Sequence, residues 1–209
     1  MNFKIISKTS PLILASSSPR RKRLLKQMGF PFRILTSDID ENQVNAEDAD
    51  AIVCLLAERK ALAVSERTGG HWILGADTVV VLGETILGKP ADRDEARSML
   101  SSLEGKEHRV ITGFSILDPQ SRVAHLEAVT TLVRMKRLKS GEIEAYLDTG
   151  EPFGKAGSYA IQGIGAFLVE TISGSYTNVV GLPVCALIKS LVAVGALEDF
   201  PFSPPETEA

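Results

Sequence analysis

Leu12-Ile13-Leu14-Ala15-Ser16-Ser17-Ser18-Pro19-Arg20-Arg21 is the stretch of sequence on which the fold prediction turns. Its four apolar residues predict a short buried strand. Ser18 is a natural N-cap and Pro19 suits the first helical position, so we expect a basic helix to follow and to end at Gly29. Outward from this strand and helix, we expect both types of element to recur along the chain.

The elements predicted beyond residue 29 mix strands and helices. Strands are predicted over residues 31–37, 72–82, 108–117, 122–138, 158–162 and 166–172, and helices over residues 47–67, 92–105, 140–147 and from Pro183 onward. An acidic loop is expected between them at residues 38–45. These elements predict an α/β fold with two lobes around a cleft.

The composition excludes several classes of protein. Of the 209 residues, 44% are hydrophobic and 23% are charged, which is typical of globular proteins and excludes a disordered or fibrous chain. The length predicts one large domain or two small lobes, which we interpret as a single domain over residues 1–209 with a loose tail at residues 199–209. A net charge of -3 argues against a nucleic-acid coat and against a polybasic membrane binder.

The cysteines and the apolar segments bear on the compartment. Cys54 and Cys185 are far apart and form no CxxC pattern, so we expect neither a disulfide framework nor a thiolate zinc site. The most apolar stretch, residues 179–197, contains Pro183 and Lys189 and predicts a buried helix rather than a membrane span. We therefore expect a cytoplasmic protein without a membrane partner.

Residues 16–21 are the first candidates for chemistry. A turn from a strand into a helix aims backbone N–H groups and the positive end of the helix at an anion. Arg20 and Arg21 oppose the helix dipole in the first turn, which suggests that an anion binds beside them. The alternative is a serine-rich turn followed by a solvated basic face.

Asp77 is the second candidate, because it lies inside the apolar strand of residues 72–82. A buried carboxylate is costly unless it is paired, hydrogen-bonded or bound to a metal. Carboxylate oxygens suit magnesium and manganese. Asp77 is therefore a candidate metal ligand or general base, and a structural aspartate that caps a neighbouring loop is the alternative.

Two glycine-containing segments add further candidates. Residues 83–90, GETILGKP, nearly match a P-loop, but Pro90 supplies neither the hydroxyl nor the N–H that a P-loop needs. Lys89 is still placed where a loop lysine can hold phosphate. In residues 154–163 the glycines allow close approach to a ligand, and Gln162, predicted to end a strand, offers a donor and an acceptor to a base. The alternative for residues 83–90 is a hairpin turn with a surface lysine, and the alternative for residues 154–163 is a flexible loop with one polar strand residue.

Six segments, taken in order, resemble the Maf family of nucleoside triphosphate pyrophosphatases. They are residues 14–21 (LASSSPRR), 56–61 (LAERKA), 75–80 (GADTVV), 88–90 (GKP), 155–163 (KAGSYAIQG) and 174–183 (GSYTNVVGLP). The resemblance covers residues 12 to about 195. It departs from the family pattern at Glu58-Arg59, where the family has Arg-Glu, and at Gly154, where the family commonly has Asp.

The resemblance implies a fold and a reaction. It implies an elongated α/β fold like that of the inosine triphosphatases, in which a mixed sheet with flanking helices forms two lobes around a central cleft, and it implies a protein that is often dimeric. The implied reaction is hydrolysis of a nucleoside triphosphate to the monophosphate and pyrophosphate with a divalent cation, magnesium or manganese. Asp77-Thr78 together with Gln162 looks like the branch that acts on dTTP and UTP. The branch that acts on 7-methyl-GTP usually has Asp-Gln at that point.

The resemblance and the chemistry of the side chains together suggest roles. Asp77 is the expected base for attack of water on the α-phosphorus, and Asp77 and Glu41 are the expected metal ligands. The expected specificity positions are Arg20, Thr78 and Gln162. The expected phosphate contacts are Ser16, Ser18, Arg20, Arg21, Lys60, Lys89 and Lys155.

Two alternative functions stay open. One is pyrophosphatase action on another nucleotide, such as CTP, 7-methyl-GTP or inosine triphosphate. The other is a regulatory nucleic-acid-binding module that uses the basic residues 20–23, against which stand the net charge and the lack of an RNP-type aromatic strand.

Overall fold

The computed structural model describes residues 3–37, 39 and 48–202. Its strands are β1 (Leu12–Ala15), β2 (Phe32–Ile34), β3 (Ile73–Leu82), β4 (Thr85–Leu87), β5 (Glu107–Leu117), β6 (Val123–Met135) and β7 (Val169–Ser173). Its helices are α1 (Pro19–Gln27), α2 (Ala49–Ser65), α3 (Arg93–Leu103), α4 (Ser140–Asp148), α5 (Tyr176–Val180) and α6 (Val184–Ala193). Two short 3-10 segments, Ala156–Ser158 and Gly163–Leu168, precede β7.

The strands form one mixed sheet in the order β2-β1-β3-β5-β6-β7, with β4 also paired to β3. β1 runs parallel to β2 and β3, and the other pairs are antiparallel. Long antiparallel strands β5 and β6 extend the sheet, and helices lie on both of its faces. The predicted α/β fold with an elongated mixed sheet and flanking helices is confirmed.

One edge of β3 carries a gap between two partner strands. β1 pairs with β3 as far as Gly75, and β4 pairs with it from Val80 onward. Within the described ranges, the segment Ala76–Val79 therefore has no strand beside it on that edge. Because successive side chains of a strand point to opposite faces, Asp77 and Thr78 leave this gap on different sides of the sheet.

The apolar core is divided into separate clusters, and two of them meet on β3 beside this gap. A first cluster joins β1 and the start of β3 to α1 and α6, and it includes Leu14, Leu25, Leu74, Phe114 and Leu187. A second cluster joins the middle of the sheet to α3 and α4, and it includes Val80, Leu100, Val110, Val133 and Tyr146. On β3, Thr78 lies between Ala76 of the first cluster and Val80 of the second. Two lobes around a central cleft are therefore present, as predicted.

Helix α2 packs on the opposite face of the sheet at two glycines. A Cβ atom on Gly75 would lie 2.0 Å from the carbonyl oxygen of Ala57, and one on Gly113 would lie 2.4 Å from the carbonyl carbon of Val53. The missing side chains thus let the helix backbone rest directly on β3 and β5. The packed face of this helix is centred on Val53, Ala57 and Ala61.

One predicted strand differs from the observed structure, and the first residues of the C-terminal tail pack against the fold. The strand predicted over residues 158–162 is absent: Ser158 has a positive φ of 60°, and the segment turns through the two 3-10 segments instead. Of the tail predicted to be loose, Phe200 and Phe202 lie against Phe30 with ring centroids 5.8 and 5.1 Å apart. In the part of the chain that the structure describes, no helix is long and apolar enough to cross a bilayer.

Candidate active site

A single cleft at the gap in β3 brings together nearly all of the predicted site residues. It is lined by Ser16, Ser18, Arg20, Arg21, Lys60, Asp77, Thr78, Lys89, Lys155 and Gln162, along with others. These side chains come from the turn between β1 and α1, from α1, α2 and β3, and from two loops that are distant in sequence. Glu41, the other predicted metal ligand, lies outside the described residues.

Asp77 forms a buried ion pair with Lys60 of α2. The Nζ atom of Lys60 lies 2.5 Å from Oδ1 of Asp77, and the two residues are only 8% exposed. The close approach of α2 at Gly75 puts the lysine within reach of the strand. The ion pair offsets the desolvation penalty that a carboxylate without a partner would have in this position.

The start of α1 forms another part of the wall of the cleft. Ser18 is the N-cap, and its hydroxyl accepts a hydrogen bond from the N–H of Arg21, as the sequence predicts. Ser16 accepts from the N–H of Ser18 at 3.3 Å. The first turn holds no acidic residue, so the positive end of the helix dipole faces the cleft without a negative side chain of its own.

Arg21 does not extend along the surface of α1. Its guanidinium is buried and donates to the carbonyl oxygen of Gly181 at 2.7 Å, to Ser16 Oγ at 3.0 Å and to Thr78 Oγ1 at 2.9 Å. Arg21 therefore links the turn after β1, strand β3 and the end of α5 beside the cleft. Its predicted direct contact with phosphate stays a prediction.

Arg20 and Lys155 concentrate positive charge at the same cleft. Burial lowers the pKa of the Arg20 guanidinium. Burial and the neighbouring charge of Arg20 lower the pKa of the Lys155 ammonium. Two cations that are partly desolvated and repel each other would both be relieved by a bound anion.

The glycine-rich segment is held in place from both sides. The N–H of Gly157 donates to the carbonyl oxygen of Gly88, which brings this segment next to Lys89. Lys155 Nζ donates to the carbonyl oxygen of Glu151. These contacts place Lys89 and Lys155 on neighbouring loops at the rim of the cleft.

Glu151 organises the turn that carries Gln162. Its carboxylate accepts from the N–H groups of Ile164 and Gly165 and from the hydroxyl of Tyr146. Burial raises the pKa of Glu151, but the donated hydrogen bonds outweigh burial, so its pKa is lowered overall. Gln162 itself is half-buried and lies at the start of a 3-10 segment, not at the end of a strand.

A hydrogen-bond chain below Thr78 was not predicted. Thr78 Oγ1 lies 2.9 Å from Oγ1 of Thr112, which donates to the carbonyl oxygen of Asn178 at 3.1 Å. Asn178 in turn donates to the carbonyl oxygen of Val110 and to Thr131 Oγ1. The alternation of β5 puts Thr112 among inward-facing apolar residues, which was a signal that sequence reasoning could have used.

A second buried pair borders the cleft at Tyr159. The Tyr159 hydroxyl lies 2.7 Å from Nε2 of His108, and burial lowers the pKa of His108 to about 4. His108 is therefore neutral at physiological pH and serves as a hydrogen-bond partner of the tyrosine.

The donor set for a metal is small in the described part of the chain. Asp77 is the one carboxylate that lines the cleft there. Across residues 3–37, 39 and 48–202, no cluster of three or more histidine, cysteine, aspartate or glutamate side chains is arranged to hold an ion. Among the described residues of the cleft, Asp77 is therefore the one whose carboxylate oxygens could hold a divalent cation.

The chain is similar to two bacterial proteins named dTTP/UTP pyrophosphatase. The protein from Syntrophotalea carbinolica is 46% identical over 198 residues, which cover 94% of this chain and 90% of that protein. The protein from Geobacter sp. strain M21 is 48% identical over 190 residues, which cover 91% and 98% of the two chains.

The chain was also compared with solved structures and with models of protein families. The structure of a nucleoside-triphosphatase / dITP/XTP pyrophosphatase from Mycobacterium abscessus matches 62% of this chain and 76% of that one, with 11% identity and a TM-score of 0.35, a likeness too small to carry an argument. The model of the family described as "Maf-like protein" matches residues 11–194 of the chain. This match covers most of the chain, and the two relatives are 46% and 48% identical to it over at least 90% of its length. The chain therefore belongs to the Maf family.

Proposed function

We propose that the chain is a nucleoside triphosphate pyrophosphatase that hydrolyses dTTP and UTP to the monophosphate and pyrophosphate. The observation that carries the proposal is the buried Asp77–Lys60 pair, set in the gap of β3 and faced by the start of α1. A carboxylate beside a helix N-terminus and several cations is suited to water attack on a phosphate chain. The names of the relatives support the choice of nucleotides.

The triphosphate would bind where the positive groups converge. Arg20 can contact phosphate through its planar fork, whereas Lys89 and Lys155 act as point charges. The N–H groups at the start of α1 add donors that need no reorganisation. Ser16 and Ser18 line this wall and supply hydroxyl groups, although Ser16 also accepts from Arg21.

In the proposed reaction, water attacks the α-phosphorus. A bond forms between the water oxygen and phosphorus, while the bond from phosphorus to the oxygen bridging the α- and β-phosphates breaks. Pyrophosphate leaves with that bridging oxygen, and Asp77 takes the proton of the attacking water. Lys60 holds the carboxylate in place and balances its charge before the proton arrives.

We also propose that a divalent cation, magnesium or manganese, takes part. Asp77 fits such an ion because its carboxylate is a hard oxygen ligand inside the cleft. Such a cation would supply positive charge that neutralises the phosphates. Glu41 stays the second proposed ligand.

The base would be recognised by the proposed specificity residues Arg20, Thr78 and Gln162. The side-chain amide of Gln162 carries a donor and an acceptor, so it can meet a carbonyl or the imide N–H of uracil or thymine. A cytoplasmic setting, a role in cleaning the nucleotide pool and assembly into a homodimer are part of the same proposal. Free Cys54 and Cys185 agree with a reducing compartment.

The test is pyrophosphate release from a panel of nucleoside triphosphates with magnesium, run beside Asp77→Asn. We expect release from dTTP and UTP, a loss of at least about 10³-fold in the variant and a loss on chelation of the metal. Asp118→Asn, at a loop aspartate bound to Arg122, is the matched control for losing a buried carboxylate. Retained turnover in Asp77→Asn would remove Asp77 as the base, and release mainly from a purine nucleotide would overturn the choice of substrate.

A further inference from the structure

The hydroxyl group of Thr78 has two partners inside the protein. Nη2 of Arg21 and Oγ1 of Thr112 each lie 2.9 Å from Thr78 Oγ1. A guanidinium can only donate, so Thr78 accepts from Arg21. Thr78 has one hydroxyl proton, and the direction of its bond with Thr112 decides where that proton points.

Thr112 settles this direction. It lies directly opposite Thr78 in the register of β3 and β5, is fully buried, and has its Oγ1 3.1 Å from the carbonyl oxygen of Asn178. A carbonyl can only accept, so Thr112 gives its one proton to Asn178. If Thr112 donated to Thr78 instead, its Oγ1 would face the carbonyl oxygen of Asn178 with no proton between the two buried oxygens, which is costly. Thr112 therefore accepts from Thr78.

The consequence is a fixed polarity at the floor of the cleft. Thr78 accepts from Arg21 and donates to Thr112, so only a lone pair of its oxygen is left for a ligand. Toward the cleft, Thr78 can accept a hydrogen bond but cannot donate one. A ligand atom that meets it must carry a hydrogen.

Gln162 differs from Thr78 in this respect. No other residue within the described ranges forms a hydrogen bond with its side-chain amide. The amide can therefore turn by 180° and present either its N–H or its carbonyl oxygen. Such a group suits the edge of uracil in one orientation and the edge of cytosine in the other, so it cannot alone distinguish them.

We infer that Thr112 is a positioning residue that fixes Thr78 as an acceptor, and that this polarity selects pyrimidine bases with an N3–H over cytosine. The inference rests on the proposed function, since it needs the base to lie beside Thr78. Uracil and thymine have a hydrogen on N3, whereas cytosine has a lone pair there. Thr78 accepts from the N3–H, and Gln162 donates to a neighbouring carbonyl. With cytosine, the lone pair on N3 would face the lone pair of Thr78 Oγ1, and this repulsion disfavours the binding of cytosine.

The test measures how strongly UTP is preferred to CTP when the proton of Thr78 is released. Thr112→Val keeps the shape of the side chain but removes the acceptor, so the Thr78 hydroxyl can turn and donate into the cleft. We expect the ratio of kcat/KM for UTP to that for CTP to fall roughly tenfold, and Thr112→Ser, which keeps the hydroxyl, to restore it. The same ratio is measured for Kd in the Asp77→Asn background, where it does not depend on turnover.

Thr131→Val is the matched control. Thr131 is a buried threonine that also bonds Asn178 but does not contact Thr78, so its loss disturbs the same network without freeing the Thr78 proton. An unchanged ratio in folded Thr112→Val, or an equal fall in Thr131→Val, would overturn the inference. If the unaltered chain hydrolyses no nucleotide, the proposed function fails, and the Kd ratios still decide whether Thr112 sets the base preference.

Discussion

Lys60 and Asp77 are an expensive pair to keep inside a protein. Taking both charges out of water costs several kcal/mol, and replacing such a pair with apolar side chains is often neutral or stabilising. A stability argument therefore does not explain why these residues lie in a gap between apolar clusters. A requirement for a charged carboxylate at that point does explain it.

His108 provides a pH prediction. Burial lowers its pKa to about 4, against about 6.5 in an unfolded chain, so the unfolded state binds the extra proton between these values. Stability should therefore fall as the pH drops from 6.5 towards 4. Between pH 6.5 and 5, His108 should account for about 1.5 kcal/mol of the lost free energy of unfolding.

Urea unfolding at several pH values would measure this effect. We expect His108→Gln, whose amide can still reach Tyr159, to lose less stability between pH 6.5 and 5 than the unaltered chain. His71→Gln, at a half-buried histidine that bonds the carbonyl oxygen of Pro11, is the control for removing an imidazole. Parallel curves for His108→Gln and the unaltered chain would contradict the prediction.

Single residues were predicted best where local chemistry decides. The cap at Ser18 and the presence of Asp77 in an apolar strand followed from the sequence, because caps and buried carboxylates obey local rules. The burial of Arg21 did not, since its acceptors Thr78 and Gly181 are 57 and 160 residues away in the sequence. No local pattern contains such partners.

At the scale of elements, the contact of α2 with Gly75 is the decisive packing feature. A methyl group on Gly75 would lie 2.0 Å from the carbonyl oxygen of Ala57, so the helix would have to move. Because α2 also carries Lys60, we expect Gly75→Ala to lower the free energy of unfolding by about 3 kcal/mol and kcat at least tenfold. Urea unfolding and steady-state turnover would measure both effects.

Gly141→Ala is the control for this prediction. Gly141 lies in α4, and a Cβ atom there would meet nothing within 4 Å. Alanine should be neutral or slightly stabilising in a helix, by up to about 1 kcal/mol. Normal stability and turnover in Gly75→Ala would show that α2 tolerates displacement and that its close approach is not what sets the ion pair.

The long elements were predictable, and the segment before β7 was not. Strands β3, β5 and β6 show sustained apolar patterns, so their positions were confirmed within a few residues. Residues 158–162 also look extended, but Ser158 and Gly163 take positive φ values, and Glu151 gathers the N–H groups of the following turn. A carboxylate that organises a turn from more than ten residues away leaves no local signature.

For the whole molecule, the division of the core predicts how a ligand should act. A nucleotide in the cleft would touch β1 and α1 on the side of the first cluster and the loops that carry Lys89 and Lys155 on the other. We expect an analogue of dUTP with a methylene group between the α- and β-phosphorus to raise the Tm by about 5–10 °C at a concentration of 100 times its Kd.

Differential scanning calorimetry with magnesium would measure this shift. Pyrophosphate alone is the control, because it lacks the base and sugar and should stabilise less. The prediction fails if pyrophosphate raises the Tm as much as the analogue does, since the base side of the cleft would then contribute nothing.

The whole-molecule predictions depended on different kinds of information. Composition and element types indicated an α/β protein with two lobes, and the resemblance to the Maf family implied an elongated fold with a central cleft. The order of the strands was not predicted. Basic residues are concentrated in residues 1–36 and acidic ones in residues 37–58, which from charge alone favours two solvated faces of opposite sign over a shared metal–phosphate ligand. Arg20 and Arg21 of the basic stretch line the cleft, and most of the acidic side chains lie outside the described residues. Pairing between distant segments cannot be read from composition.

The gap beside Ala76–Val79 also bears on the solubility of the protein. An unpaired strand edge is a template on which another chain can add a strand and start aggregation. This one is only four residues long, about 13 Å, and it is closed at its ends by β1 and β4. Lysine and arginine side chains at the same cleft would repel an identical copy. The opening in the sheet is therefore wide enough for a small molecule, while its closed ends and its positive charge hinder the addition of a strand from another chain.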